Sequence, residues 1–167
     1  MKESVHAALS FIRANAAKLD VPADFYKTKD IHVHFPAGAV PKDGPSAGIT
    51  VCTAIVSALT ERAVRSDVAM TGEISLRGRV LPIGGLKEKT MAALRDGIHT
   101  VIIPKDNERD LEEIDQTVRK SLEFVIAENV DTVLTTALNP KEEVVPTILK
   151  EIPGEVTQKS RKPVIQQ

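Results

Sequence analysis

The stretch SAGITVCTAIVSAL, residues 46–59, decides the fold class of this 167-residue chain. Its side chains are apolar almost all the way round a helical wheel, which is typical of a helix buried inside a domain. We expect this helix to run for about four turns and to begin beside Ser46, whose hydroxyl suits an N-cap. The segments on either side of the stretch indicate what encloses it.

Helical and strand patterns alternate on both sides of the buried helix. Residues 2–19 place apolar side chains at steps of three and four, which predicts an amphipathic helix that ends before Pro22. Ile31–Phe35 alternates apolar and polar residues, the pattern of a strand. Further patterns predict strands at 68–71, 100–103 and 122–126, a hairpin that turns at Gly78, and helices at 86–95, 107–113 and 130–138. This alternation predicts a single compact α/β domain.

The predicted domain ends near residue 140. We expect residues 1–140 to form the folded domain and residues 141–167 to form a flexible tail. The tail is polar and carries Pro146, Pro153 and Pro163, a composition that disfavours a packed core.

The composition of the chain argues against several classes of protein. Lys and Arg total 22 against 23 Asp and Glu, a net charge of −1, so neither nucleic acid nor a membrane surface is predicted as a partner. Aromatic residues make up 3% of the chain, too few for base-stacking surfaces. Cys52 is the single cysteine, which excludes an intrachain disulfide. No apolar run is long enough to span a membrane, and the N-terminus lacks a signal-peptide pattern.

The first candidate for chemistry is Ser46, in the run Gly44-Pro45-Ser46-Ala47-Gly48. A loop rich in proline and glycine leads into this serine and the buried helix follows it, so we expect Ser46 to be held rigidly at an exposed helix end. The backbone N–H groups of that first turn should be free and could bind an oxyanion. The plainer interpretation is that Ser46 only caps its helix.

Other catalytic and ligand-binding patterns fit the sequence less well. The run around Ser46 also matches the G-x-S-x-G elbow of α/β-hydrolases, but a proline-rich loop precedes it and His99 is the sole histidine downstream. A phosphate-binding loop fails on its spacing, since no glycine-rich segment ends in Gly-Lys-Ser/Thr. His32 and His34 share a strand face, but two ligands are too few for a metal. Neither a metal nor a cofactor is therefore predicted in this chain.

A nucleophilic serine without a histidine needs another base, and a neutral lysine is the usual replacement. Lys87 and Lys89 lie in the first turns of the helix that Gly84 and Gly85 open, where the helix dipole disfavours a cation. The two lysines fall on opposite borders of the apolar stripe, so the helical wheel does not choose between them. Thr71, which follows a predicted strand, could orient a neighbouring amine. The plainer interpretation is that both lysines are solvated surface residues.

Three motifs in this order resemble the proteolytic domain of Lon, the ATP-dependent protease. They are FPAGAVPKDGPSAG at 35–48, MTGE at 70–73 and GGLKEK at 84–89. The first motif is long and specific, and its Pro-Lys-Asp-Gly-Pro-Ser form is similar to the type A branch. The resemblance covers residues 2–138 and implies the fold of that proteolytic domain.

The resemblance also implies roles for individual residues. It implies that Ser46 is the nucleophile and that Lys89, the second lysine of Lys-Glu-Lys, is the base of a Ser-Lys dyad. Thr71 matches a threonine that helps to hold the catalytic lysine. Asp43 matches a position in a loop that rearranges between active and inactive forms. The implied reaction is hydrolysis of peptide bonds in unfolded or damaged proteins, as part of protein quality control.

Lon chains also carry a substrate-binding region and an ATPase module, neither of which this sequence contains. The chain therefore resembles an excised proteolytic domain, which we expect to be weakly active or inactive as an isolated fragment. ATP and magnesium are expected on the ATPase module. The resemblance implies polypeptide substrates, that ATPase module and a hexameric ring of copies as partners. It implies a location in the bacterial cytoplasm, with the mitochondrial matrix as the alternative.

A second reading of the resemblance comes from a different functional class. Some Lon-like domains act as non-proteolytic assembly scaffolds or bind nucleic acid. The presence of both Ser46 and Lys89, together with the neutral overall charge, argues against that reading.

Overall fold

Helices and short strands alternate along the chain. A computed structural model describes residues 2–35 and 44–141. In chain order, its elements are α1 (Lys2–Ala14), α2 (Phe25–Thr28), α3 (Gly48–Thr60), β1 (Val68–Met70), β2 (Glu73–Ile74), β3 (Val80–Leu81), α4 (Leu86–Arg95), β4 (Thr100–Pro104), a 3₁₀ helix (Lys105–Glu113), α5 (Gln116–Ser121), β5 (Glu123–Ala127) and α6 (Val130–Ala137).

A parallel sheet separates two apolar layers. Its strands pair in the order β1-β4-β5, and every residue of the central strand β4 is buried. Ile102 packs on one side of the sheet with α1, α3 and α6, whereas Val101 and Ile103 pack on the other side with α4 and α5. A parallel sheet covered on both faces is the arrangement that buries such a continuous apolar strand. The predicted α/β fold class is confirmed.

Helix α3 is the buried helix that the sequence predicts. Ile49 and Cys52 are fully buried, and the helix packs mainly against α1. Its start differs from the prediction, because α3 begins at Gly48 and Ala47 is its N-cap, with no capping bond from a side chain. The prediction that Ser46 caps this helix is therefore wrong, and another explanation is needed for a serine at this point.

The hairpin and the helix after it follow the prediction closely. Strands β2 and β3 pair antiparallel, and Gly78 lies in their turn with φ +79°. A side chain at this position would overlap the ring of Phe11, so the glycine lets the hairpin lie against α1. Helix α4 spans the predicted residues 86–95, between Gly85 and Gly97, which both adopt left-handed φ values.

Two predicted elements differ in the structure. Helix α1 ends at Ala14, and residues 15–20 continue as turns in which Leu19 is still buried. Ile31–Phe35 belongs to no strand among the described residues, although its apolar side chains are partly buried and its two histidines are exposed. These residues line an apolar groove of about 520 Å³ beside α3. In both segments the periodicity indicates which side chains are buried, not which backbone groups are paired.

The remaining differences concern short helices. Helices α2 and α5 were not predicted, and the helix expected at 107–113 is a 3₁₀ helix that begins at Lys105. Asp43 and residues 142–167 lie outside the described residues, so the predictions of a rearranging loop and of a flexible tail stay untested. No helix within the described ranges is long and apolar enough to cross a membrane.

Candidate active site

Ser46 and Lys89 line the same two cavities. One cavity, of about 250 Å³, is also lined by Thr71 and Met70 at the carboxyl end of β1. The other, of about 470 Å³, is bounded by residues 44–46 and 82–84. Ser46 comes from the turn before α3 and Lys89 from the first turn of α4. The fold thus brings a serine that precedes one helix and a lysine of another helix to the border of shared space.

The backbone of Ser46 is held by the loop that follows β1. Its carbonyl oxygen accepts a hydrogen bond from the N–H of Gly72 at 2.9 Å and another from the hydroxyl of Thr71 at 3.4 Å. The carbonyl of Gly72 in turn accepts from the N–H of Ile49 at 3.1 Å. Thr71 is buried, so its hydroxyl is fixed in place. These bonds attach the start of α3, and with it Ser46, to the end of a sheet strand.

Two glycines let the start of α3 and the loop after β1 lie close against strands β2 and β3. A Cβ atom on Gly48 would lie 2.6 Å from the backbone nitrogen of Ile74 in β2. A Cβ atom on Gly72 would lie 2.8 Å from a methyl group of Val80. Real side chains do not tolerate such distances, so the position of Ser46 depends on glycine at residue 48 above all.

The first backbone donors of α3 are already engaged. The N–H of Gly48 donates to the carbonyl of Pro45 at 3.0 Å, and the N–H of Ile49 donates to Gly72. The prediction that the N–H groups of this turn are free is therefore wrong for these two residues, because the neighbouring turn and loop use them. Binding of an oxyanion would fall to other donors around Ser46.

The structure separates the two lysines of α4. The amine of Lys89 donates to the carbonyl of Gly84 at 3.0 Å, and this residue lines both cavities. Lys87 lines neither cavity. The pKa of the Asp115 carboxyl is lowered, first by the N–H of Thr117 and, as a smaller contribution, by the charge of Lys87. Lys87 therefore lies close enough to Asp115, at the start of α5, for its charge to act there, whereas Lys89 shares both cavities with Ser46.

The hydrolase alternative finds no support in this geometry. His99 precedes β4, and its N–H donates to the carbonyl of Asp67, which lies just before β1. Because the two strands are parallel, this is the amino end of the sheet, whereas Thr71 marks the carboxyl end beside Ser46. A triad of Ser46 with His99 would have to bridge opposite ends of the sheet.

His32 and His34 belong to no metal-binding cluster within the part of the chain that the structure describes. Among residues 2–35 and 44–141, no group of three or more His, Cys, Asp or Glu side chains could hold a metal ion. Both His32 and His34 are exposed.

Sequence reasoning missed two groups that shape this site. One is the carbonyl of Gly84, a backbone atom whose direction no residue pattern reveals. The other is Asn107, whose side chain bonds the backbone of Ile83 next to Gly84. A single asparagine in an acidic helix carries no signal that would have singled it out.

Comparison with known proteins adds a family match. Residues 1–140 match the model of the Lon protease (S16) C-terminal proteolytic domain. The chain is 59% identical over 138 residues to the Lon protease of Clostridium acetobutylicum, covering 83% of this chain and 18% of that protein. It is 60% identical over 143 residues to the Lon protease of Haemophilus influenzae, covering 85% and 18%. It is also 59% identical over 138 residues to Lon protease 1 of Bacillus subtilis, covering 83% and 18%.

Proposed function

Because the chain belongs to the Lon protease (S16) family of C-terminal proteolytic domains, we propose that it is a serine endopeptidase domain with a Ser-Lys dyad. The nucleophile is Ser46 and the base is Lys89. The observation that carries this proposal is that these two residues, and not Lys87, line the same cavities. The failure of Ser46 to cap α3 supports it further, since a capping role no longer accounts for this serine.

The proposed reaction is acyl transfer in two stages. Neutral Lys89 accepts the proton of the Ser46 hydroxyl as its oxygen attacks the carbonyl carbon of a peptide bond. The protonated amine then gives that proton to the leaving nitrogen, which frees one product and leaves an acyl-enzyme on Ser46. In the second stage a water molecule loses a proton to Lys89 and attacks the ester. Cleavage of the ester bond returns the proton to Ser46 and releases the second product.

The surrounding residues support this chemistry by holding the two reacting groups. Thr71 and Gly72 fix the carbonyl of Ser46, so the hydroxyl projects from a stationary backbone. The carbonyl of Gly84 holds the amine of Lys89 at the border of the cavity. Pre-positioning of this kind lowers the barrier because little reorganisation remains when the substrate binds. In this proposal Thr71 acts by holding the backbone carbonyl of Ser46. The resemblance implies a different contact, in which the matching threonine helps to hold the catalytic lysine.

The wider function is proposed for a longer protein. The chain spans 18% of the length of the curated relatives named above. We propose that ATP and magnesium bind elsewhere in such a protein, that its substrates are unfolded or damaged polypeptides, and that its copies assemble into a hexameric ring. The proposed location is the bacterial cytoplasm.

A serine-directed probe tests the dyad without requiring turnover. The chain is treated with a fluorophosphonate across a range of pH, and the modified residue is identified by mass spectrometry. The proposal predicts labelling at Ser46 that Ser46→Ala and Lys89→Ala abolish. Lys87→Ala is the matched control, since it removes the same charge from the same helix and should label as the wild type does.

Two results would overturn the proposal. If Lys89→Ala were labelled at the wild-type rate, Lys89 could not be the base that activates Ser46. Absence of labelling in the wild type, together with DNA binding that weakens steeply with salt, would favour the scaffold alternative instead.

A further inference from the structure

We propose that Asn107 is a positioning residue for Lys89 and acts through the backbone of Ile83 and Gly84. The inference rests on the proposed dyad and extends it to a residue outside the two cavities. Asn107 lies on the 3₁₀ helix and is 3% exposed. A buried amide of this kind is retained only where its donors and acceptor find partners.

The amide of Asn107 bonds Ile83 as a neighbouring strand would. Its Oδ1 accepts from the N–H of Ile83 at 2.9 Å, and its Nδ2 donates to the carbonyl of Ile83, also at 2.9 Å. A third bond from Nδ2 to the carboxylate of Asp110, at 2.6 Å, fixes which way the amide is turned. The side chain therefore satisfies both backbone groups of one residue in a segment outside the sheets.

That segment carries the acceptor for Lys89. Ile83 is followed directly by Gly84, whose carbonyl holds the lysine amine at 3.0 Å. Gly84 has open space around its Cα, and Gly85 adopts a left-handed φ of +70°. Two consecutive glycines give the backbone more freedom than any other pair of residues. Asn107 anchors this segment immediately before the two glycines, at the wall of the cavity that Ser46 shares.

Loss of this anchor should misplace the lysine. Without the amide, the segment 82–85 can shift and the carbonyl of Gly84 no longer defines where the amine rests. Misplacement of a catalytic group by about 1 Å can slow a reaction by ~100-fold. We expect Asn107→Ala to slow acylation of Ser46 at least ~10-fold at saturating probe, with little change in probe binding.

A matched control separates positioning from simple destabilisation. Asn129 also accepts a backbone hydrogen bond through its side chain, from Thr132 at the start of α6, and it lines neither cavity. Asn129→Ala therefore removes the same kind of side chain from a position where it also accepts a backbone hydrogen bond. Asn129 does not hold the segment 82–85, which carries the acceptor for Lys89. Each variant is labelled with the fluorophosphonate at a temperature where circular dichroism shows it folded. The proposal predicts slow acylation in Asn107→Ala and near wild-type acylation in Asn129→Ala. Equal effects in the two variants would overturn it.

A conservative variant covers the case in which Asn107→Ala does not fold. Asn107→Asp keeps the size of the side chain and the acceptor for the N–H of Ile83, but it replaces the donor that faces Ile83 and Asp110. It should also slow acylation at least ~10-fold. Wild-type acylation in this variant would overturn the proposal.

Nuclear magnetic resonance of the resting protein distinguishes failure of this inference from failure of the dyad. The signals followed are the side-chain amine of Lys89 and the amide of Gly84. The inference predicts that both shift in Asn107→Ala and that neither shifts in Asn129→Ala. If Lys89→Ala blocks labelling but Asn107→Ala labels normally, the dyad stands and the positioning role falls. If the wild type does not label and binds DNA in a salt-sensitive way, the dyad falls, and unchanged signals in Asn107→Ala would overturn the positioning role as well.

Discussion

Replacing Gly48 with alanine tests whether the contact between α3 and β2 sets the position of Ser46. The new Cβ would lie 2.6 Å from the nitrogen of Ile74 and 2.9 Å from its Cγ2. Ordinary contact requires the helix start or the strand to move by about 1 Å, because the nearest atom is backbone and cannot rotate away. Overpacking of this kind costs about 1–3 kcal/mol, and the better helix propensity of alanine offsets up to ~1 kcal/mol of it.

The expected result has two parts. The free energy of unfolding of Gly48→Ala, measured in urea, should fall by about 1–2 kcal/mol, which lowers Tm by roughly 2–8 °C in a domain of this size. Fluorophosphonate labelling of the folded variant should slow at least ~10-fold, since Ser46 moves with the helix start. Gly84→Ala is the stability control, because a Cβ there meets nothing within 4 Å. Wild-type stability and labelling in Gly48→Ala would refute the argument.

Thr71, Cys52 and Asn129 each offer a further test. Thr71→Val removes the hydroxyl that donates to the carbonyl of Ser46, so labelling should slow roughly fivefold, as loss of ~1 kcal/mol implies, whereas Thr71→Ser should label normally; equal rates in the two variants would contradict this. Burial raises the pKa of the Cys52 thiol from 9.0 to about 12, so only the unfolded thiol loses its proton between those pH values. The free energy of unfolding should therefore fall as pH rises from 9 to 12, and a fall of the same size in Cys52→Ala would contradict the assignment. Asn129→Ala removes the cap of α6 and should cost about 1 kcal/mol in urea denaturation; an unchanged midpoint would show that the cap contributes nothing.

The helices that the sequence predicts best are those with both periodicity and end signals. Helix α4 runs over the predicted residues because an apolar stripe lies between Gly85 and Gly97, and Gly97 takes the left-handed conformation that commonly ends a helix. Helix α5 escaped prediction because it buries only Val118. Its N-cap Asp115, whose carboxylate accepts from the N–H of Thr117, was the one local signal that could have found it.

The site itself could be predicted only in part. Ser46 was identifiable because a stretch of sequence rich in proline and glycine meets the pattern of a buried helix there. Local periodicity could not choose between Lys87 and Lys89, since the choice depends on which side of α4 faces a helix far away in sequence. The hydrogen bond from the N–H of Ile49, at the start of α3, was likewise unpredictable. Its acceptor is the carbonyl of Gly72, which lies in the loop after β1 and is distant in sequence.

The proposed dyad requires that the amine of Lys89 reach the hydroxyl oxygen of Ser46. A crystal structure of this chain with a peptide boronate bound tests it most directly, because boron bonds the attacking oxygen and mimics the tetrahedral intermediate. We expect a bond from boron to Ser46 Oγ, with Lys89 Nζ about 2.6–3.2 Å from that oxygen or from a boronate oxygen. Boron bound to any other residue, or an Nζ beyond hydrogen-bonding distance of these oxygens in the adduct, would contradict it.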